Sequence, residues 1–136
     1  MPDQTRGEQS IPLSIELDRA DEMPLYRQIV DQIWTQVIDG SINGGALLPT
    51  VRHLAIDLGV HPDTIARAYS ELELLGVVHA RRGEGTFVGL RPPNRAELER
   101  RRRLEQICIE AVAEAKRAGY TTSDVIEILK EIRKSP

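Results

Sequence analysis

The sequence predicts a mainly α-helical protein with one small β-hairpin. Apolar residues recur every three or four positions in three successive segments between residues 24 and 75, which is the period of amphipathic helices. Two short β-prone runs follow, joined by a connection that contains two glycines. Two more segments with helical periodicity lie between residues 94 and 134. Three helices, a hairpin and a two-helix tail are therefore the expected elements.

Length and composition bound the class of protein. With 136 residues, the chain has room for one domain, or for one domain with an appendage. A (β/α)₈ barrel needs about 250 residues and is excluded. The net charge of -3 argues at first against a nucleic-acid partner, because such partners are usually met by a basic surface. The charge is uneven, however, with -4 on residues 1–24, -2 on residues 25–90 and +3 on residues 91–136.

The cysteine content and the N-terminus indicate the compartment. A single cysteine, Cys108, cannot form an intramolecular disulfide, so a reducing, intracellular setting is the default. The first ten residues lack the basic start and apolar stretch of a secretory signal, and no apolar run approaches about 18 residues. We expect a cytoplasmic protein with no membrane contact.

Residues 1–23 predict an N-terminal arm that is partly disordered. The first ten residues offer no apolar periodicity from which to build a core. Residues 11–18 alternate between apolar and polar side chains, which is the period of a half-buried strand. Pro12 restricts this stretch to an edge strand or an extended arm.

The expected helices of residues 24–90 are delimited by prolines, a threonine and glycines. Pro24 opens the first helix and Gly40 ends it. Thr50 is positioned to cap a short second helix, and Pro62 opens the third.

The hairpin is expected after these helices. Residues 77–80 and 86–88 predict its strands, and residues 81–85 predict the connection between them.

Three helices followed by a hairpin are the order of a winged helix-turn-helix. In that fold the third helix lies in the DNA major groove, and the hairpin, or wing, touches the neighbouring backbone or the minor groove. This geometry needs small or polar side chains and nearby cations at the start of the third helix, where the chain has His61, Asp63, Thr64 and Arg67. Arg81 and Arg82, beside glycines, have little to do in a small core and are expected at phosphates or in the minor groove.

Four motifs in the middle of the chain carry a resemblance to a family. They are PLYRQI at 24–29, LPTVRHLA at 48–55, VHPDTI at 60–65 continued by Ala68-Tyr69 and Leu72-Glu73, and RRGEGTFV at 81–88. In this order they resemble the DNA-binding domain of GntR-type bacterial transcription regulators. The resemblance implies that Arg52 contacts the DNA backbone or a base, that Thr64 lies near the start of the recognition helix, and that Arg82 and Gly83 form the wing tip in the minor groove.

The sequence also departs from the family's pattern. His61 and Asp63 stand where relatives often have small or amide side chains, and Ala66 stands where some members have a base-reading arginine. The base preference of a relative is therefore not transferable.

Each candidate DNA-contacting residue has an alternative role. Arg52 could pair with Asp57, and the Thr64 hydroxyl could bond its own backbone. Asp63 is better explained as complementing the helix dipole than as reading a base. For His61, helix capping and a phosphate or base contact are equally favoured.

Residues 91–136 predict a linker and a two-helix dimerisation region. Residues 91–93, Arg-Pro-Pro, form a stiff linker. Asn94 is positioned to cap the first helix of this region, and Thr121 or Thr122 is positioned to cap the second. Two helices cannot bury a core alone, so their apolar sides must cover each other and a second chain. The YtrA-type branch of the GntR family resembles this arrangement, with a short two-helix C-terminal region used for dimerisation. The residues expected at the interface are Leu104, Ile107, Cys108, Ala111, Val112, Val125, Ile128, Leu129 and Ile132.

Two features of this region have their own explanations. Residues 100–103 are four arginines that point to four azimuths of a helix, so some must pack against Glu97, Glu99 or Glu105 or against a partner chain. A buried thiol is the usual role for Cys108, and an intersubunit disulfide is the minor alternative.

We therefore expect a homodimeric, sequence-specific DNA-binding regulator that represses transcription at a palindromic operator. The YtrA-type resemblance adds control of transporter genes as an implication. The alternative is a winged-helix protein-interaction module without DNA binding, which is favoured by the acidic residues Asp63, Glu71 and Glu73 of the third helix.

Enzymatic function has almost no support. The sequence contains no nucleophile paired with a base, no phosphate-binding glycine loop and no metal-ligand cluster. The residues after Val88 are too few for the family's larger effector-binding domains, including the one that holds pyridoxal phosphate. We expect no cofactor, and any effector would bind between subunits or at the domain junction.

Overall fold

The computed structural model describes residues 10–135. The chain divides into two compact units, an N-terminal unit up to Leu98 and a C-terminal unit from Glu99. The helices in the described residues are α1 (Leu25–Ile38), α2 (Val51–Leu58), α3 (Pro62–Leu74), α4 (Arg95–Arg117) and α5 (Thr122–Lys134), and the strands are β1 (Val78–Arg81) and β2 (Gly85–Val88). A mainly helical chain with one antiparallel hairpin, as predicted, is confirmed.

The core of the N-terminal unit lies between α1, α3 and the base of the hairpin. Ile29 and Ile33 of α1 are fully buried with Ile65 and Leu72 of α3, because both helices carry apolar residues at three-and-four spacing. Trp34 is 2% exposed, and its indole Nε1–H donates to the Pro93 carbonyl at 3.2 Å. Trp34 is therefore part of the core.

Local capping interactions set where α2 and α3 begin. The Thr50 hydroxyl accepts the His53 backbone N–H at 3.1 Å, as expected for an N-cap. Gly59 has φ 68°, the left-handed conformation that ends α2. Pro62 occupies the first turn of α3. Since Gly59 and Val60 alone lie between α2 and the N-cap His61, the turn joining the two helices is tight.

The wing differs in its limits from the expected hairpin. The strands pair from Val78 with Val88 to Arg81 with Gly85, so Arg81 is a strand residue and the turn is only residues 82–84. The five-residue connection that was expected is thus too long, and Val77 lies outside β1. Leu47 bridges Phe87 on the far side of β2, an edge contact that the sequence pattern did not indicate.

The N-terminal arm is extended from residue 10 but is not a sheet strand. Its apolar residues, at positions 11, 13, 15 and 17, pack on the core as the alternation predicts. Its polar backbone is paired mostly with side chains of α1: Gln32 and Gln28 each bond both the N–H and the C=O of one arm residue, Glu16 and Asp18 respectively. The Gln36 amide donates to the Ser14 carbonyl at 2.8 Å. Three glutamines one turn apart therefore take the place of a neighbouring strand. The predicted disordered tail lies mostly outside the described residues.

In the C-terminal unit, α4 and α5 pack little against each other. The Thr121 hydroxyl and the Asp124 carboxylate form a reciprocal capping box at the start of α5. In the arginine run, Arg101 pairs with Glu105 at 3.6 Å and Arg102 with Glu99 at 3.5 Å. The two helices were expected to cover each other and a second chain, and within the single chain every residue of α5 is exposed or half-buried.

None of the helices in residues 10–135 combines the length and apolar character that a bilayer crossing requires.

Candidate nucleic-acid interface

The start of α2 is held in place by a buried residue of α3. Tyr69 is 6% exposed, and its hydroxyl donates to the Pro49 carbonyl at 2.7 Å. Burial raises the pKa of Tyr69, so the phenol stays a neutral donor. This bond fixes the residue before Thr50, which in turn caps α2. Arg52, one residue into the helix, is exposed.

Arg52 does not form the ion pair that was its alternative role. Asp57 lies 3.4 Å from the His53 Nε2 atom, one turn along the same helix. Among residues 10–135, the Arg52 side chain forms no hydrogen bond or ion pair. Its guanidinium is therefore available at the surface.

His61 caps α3 with its side chain. Its Nδ1 atom accepts the Asp63 backbone N–H at 3.0 Å, and the Asp63 carboxylate lies 3.6 Å away. Because Nδ1 is the acceptor, the neutral ring carries its proton on Nε2, which remains a donor. Capping and an outward contact are thus compatible for His61, which is exposed, as is Asp63.

Thr64 stands one residue after Asp63, in the first turn of α3, and is half-buried. Its backbone N–H donates to the His61 carbonyl at 3.0 Å. No side-chain hydrogen bond of Thr64 is present within the described part of the chain, so the proposed bond of its hydroxyl to its own backbone is not seen.

Arg67 lies over an aromatic ring. Its guanidinium carbon is 4.0 Å from the centre of the Tyr26 ring, a cation–π geometry, and that of Arg27 is 5.3 Å from the same centre. Arg27 also pairs with Glu71 of α3 at 3.4 Å. Sequence reasoning missed this contact, although Tyr26 stands in the PLYRQI motif. Helical periodicity alone does not show which residues of two different helices face each other.

The two arginines of the wing occupy different environments. Arg81 pairs with Glu84 at 3.2 Å and lies 4.6 Å over the Phe87 ring. Arg82 is exposed at the turn and, in residues 10–135, makes no hydrogen bond or ion pair. Gly83 beside it has φ 77°, and a Cβ there would meet nothing within 4 Å. The tip of the wing is therefore open and cationic.

The wing lies next to the start of α2, and residues of both elements line a cleft of about 270 Å³. Its lining includes Thr50 and Val51 at the start of α2 and Glu84, Gly85 and Thr86 of the wing. The start of α2, which carries Arg52, and the wing are thus neighbouring elements, although the predicted DNA-contacting residues do not line the cleft itself. Those of α3 are placed next to α2 because α3 packs directly on it.

Most of the apolar residues predicted for the dimer interface are exposed in the single chain. Ile132 is 63% exposed, Ile128 56% and Leu104 55%. An open groove of about 620 Å³ runs along this surface between Ala115, Tyr120 and Ile128. Cys108 is exposed rather than buried in the single chain. The remaining residues predicted for the interface are exposed or half-buried: Ile107, Ala111, Val112, Val125 and Leu129.

Comparison with known proteins identifies the family. Residues 25–88 match the family model described as bacterial regulatory proteins, gntR family. A relative in Bacillus subtilis, the uncharacterised HTH-type transcriptional regulator YhcF, is 39% identical over 79% of this chain and 88% of its own length. The chain belongs to the GntR family. It is therefore a transcription regulator with a DNA-binding winged helix, and not an enzyme.

Two further likenesses refine this assignment of the GntR-family chain. The HTH-type transcriptional repressor YtrA of Bacillus subtilis is 29% identical over 87% of this chain and 91% of its own length, which supports the YtrA type. The AraR(DBD) chain, solved in complex with operator ORX1, covers 57% of this chain and 96% of its own with a TM-score of 0.51 and 28% identity.

Proposed function

We propose that this GntR-family regulator acts as a homodimer that binds a palindromic operator and represses transcription. The observation that carries the proposal is the pair of exposed arginines, Arg52 of α2 and Arg82 of the wing turn, whose side chains have no partner in the described residues. Arginines without partners on a surface favour phosphate binding, and a helix N-terminus adds backbone N–H groups and a positive dipole end.

In the proposed complex, the start of α3 enters the major groove. His61 offers its Nε2–H outward, Thr64 offers a hydroxyl, and Asp63 remains an acceptor at the helix start. Arg67, whose guanidinium lies over the Tyr26 ring, contacts the duplex. Arg82 and Gly83 enter the minor groove, while Arg81, held by Glu84, supports the hairpin and contributes charge nearby.

The dimer forms through the C-terminal unit. Because α4 and α5 pack little against each other, their apolar residues lack cover until a second chain supplies it. A twofold arrangement would present two α3 helices to half-sites roughly one helical turn of DNA apart.

The alternative, a protein-interaction module without DNA binding, is weakened by the positions of the acidic residues of α3. Glu71 pairs with Arg27 at 3.4 Å, and Glu73 accepts the Ala80 backbone N–H at 3.4 Å. Both carboxylates are occupied within their own unit, and only Asp63 is left at the proposed DNA surface.

Repression, rather than activation, is proposed from the likeness to the repressor YtrA. Control of transporter genes remains a prediction from the resemblance, and a cytoplasmic location remains a prediction from the cysteine content and the N-terminus.

A selection experiment tests the DNA-binding proposal. The purified protein is mixed with a randomised library of 40-base-pair duplexes at low salt, and the retained duplexes are sequenced. We expect an inverted repeat, bound by two chains per duplex, with affinity that falls steeply as salt rises. Retention of no duplex at low salt would favour the protein-interaction alternative instead. An enriched site without twofold symmetry would rule out the palindromic operator.

A further inference from the structure

Arg19, in the N-terminal arm, reaches the turn between α2 and α3. Its guanidinium Nη2 atom lies 3.2 Å from the Gly59 carbonyl oxygen and 3.4 Å from the Leu58 carbonyl oxygen. The last carbonyls of a helix have no partner within the helix. Arg19 thus supplies both a donor and a positive charge to the negative end of the α2 dipole. The last turn of α2 contains no basic residue of its own.

The same turn is held from its other side by the backbone. The Gly59 N–H donates to the Ile56 carbonyl at 3.3 Å, and the Val60 N–H donates to the Ala55 carbonyl at 3.1 Å. His61 then caps α3. The direction in which α3 leaves α2 therefore depends on the backbone of two residues, and Arg19 binds the carbonyl of one of them.

The backbone on the N-terminal side of Arg19 is itself anchored. Gln28 of α1 accepts the N–H of Asp18 and donates to its carbonyl, both at 2.9 Å. The Asp18 carboxylate accepts the Ala20 N–H at 3.0 Å, which closes a turn around Arg19. The arm thus connects the buried amide of Gln28 to the turn between α2 and α3.

We propose that Arg19 is a positioning residue for operator recognition, acting through the Leu58 and Gly59 carbonyls rather than on the DNA. The inference rests on the proposed function, which makes α3 the reading helix. Hydrogen bonds to base edges depend on the orientation of that helix, whereas attraction to phosphates tolerates small changes. Loss of Arg19 should therefore weaken binding to the operator more than binding to unrelated DNA.

The test compares Arg19→Ala and Arg19→Lys with a charge-matched control. Arg95→Ala removes one positive charge near Asp39, at the C-terminal end of α1. There, hydrogen bonds from Ser41 and, to a smaller degree, the charge of Arg95 lower the pKa of Asp39. Affinity is measured on a duplex that the wild-type protein selects from the randomised library, and on a scrambled duplex of the same length and composition.

We expect Arg19→Ala to bind the selected duplex on the order of tenfold more weakly, which is the typical cost of one lost base contact. Binding to the scrambled duplex should stay within about twofold, with an unchanged salt dependence. Arg19→Lys should fall between, because an ammonium keeps the charge but not the planar fork. Arg95→Ala should match the wild type on both duplexes.

Two DNA-binding results would overturn the proposal. Equal losses on both duplexes, with a salt slope reduced by about one, would make Arg19 a phosphate contact. No loss on either duplex would remove its role in recognition.

Amide hydrogen exchange in the DNA-free protein provides a second readout. We expect residues 59–64, apart from the proline, to exchange faster in both Arg19 variants than in Arg95→Ala. If the alanine variant does not fold, the lysine variant carries the comparison. Unchanged exchange would overturn the positioning role of Arg19, even if no duplex were selected. Failure to select a duplex would by itself count only against the proposed function.

Discussion

At the scale of single residues, the two wing arginines should respond differently to substitution. Arg82 is exposed without a partner in residues 10–135, whereas Arg81 is paired with Glu84 and lies over Phe87. We expect Arg82→Ala to weaken DNA binding about fivefold to tenfold, to reduce the salt slope by about one, and to leave stability unchanged. Fluorescence anisotropy with a labelled duplex at several salt concentrations measures both quantities.

Arg81→Ala is the matched control for Arg82. Loss of its ion pair and ring contact should lower the free energy of unfolding by up to about 1 kcal/mol, with a smaller effect on binding. If both alanine variants weakened binding equally, the distinction between a DNA contact and a supporting residue would be wrong.

Tyr69 should contribute to stability through one buried hydrogen bond. Tyr69→Phe leaves the Pro49 carbonyl without its donor, so we expect a loss of about 1–3 kcal/mol in the free energy of unfolding, measured in urea. Tyr120→Phe is the control, because the Tyr120 hydroxyl forms no hydrogen bond within the described residues and the substitution keeps the ring. Equal effects of the two substitutions would exclude a special role for the buried bond.

The same residue predicts a dependence on pH. Burial raises the pKa of Tyr69 above that of an unfolded tyrosine, about 10. Its stabilising contribution is therefore complete below pH 10 and is lost as the pH rises further. We expect the stability advantage of the wild type over Tyr69→Phe to shrink above pH 10 in urea titrations. A constant difference up to pH 11 would contradict this.

At the scale of elements, the wing depends on the backbone of Gly85. This residue has φ 127°, and a Cβ there would lie 2.7 Å from the Leu47 Cδ1 atom. We expect Gly85→Ala to lower the free energy of unfolding by about 1–3 kcal/mol, because the conformation is strained for alanine and Leu47 must also move. Circular dichroism during urea unfolding measures the change.

Gly83→Ala is the comparison at a glycine with a less strained backbone and no steric contact. Gly83 also has a positive φ, but a Cβ there would meet nothing within 4 Å. Its stability loss should be smaller than that of Gly85→Ala. The reverse order would mean that the contact with Leu47 does not limit the wing.

The sequence was sufficient to predict the helices and the hairpin but not the contacts between them. Proline and threonine act locally at helix starts, so the sequence was sufficient to assign Thr50 to the start of α2 and Pro62 to the start of α3. By contrast, Gln28 looked like any polar residue of an amphipathic helix, although its amide holds the arm. Contacts such as Arg67 with Tyr26 join residues far apart in the chain, and no local pattern encodes them.

At the scale of the whole molecule, the same limit applies to the candidate DNA interface. The motif order and the resemblance indicated Arg52 and Arg82, and the structure leaves both without partners in the described residues. It could not be read from the sequence that Arg81 is engaged by Glu84, because that pairing depends on the length of the turn. Periodicity identified apolar residues of α4 and α5 but did not show how little the two helices cover each other.

Dimerisation through the C-terminal unit gives the final prediction. Ile128 lines the open groove and is 56% exposed in the single chain. Ile128→Glu should place a charge in the proposed interface, where an unpaired charge is costly, while disturbing the separate N-terminal unit little. We expect analytical ultracentrifugation to show a shift from dimer to monomer and DNA affinity to fall on the order of 100-fold, since one chain reads one half-site. Lys130→Glu, an exposed site on the same helix, should leave the dimer intact. A dimeric Ile128→Glu protein with undiminished affinity would mean that α5 lies outside the interface.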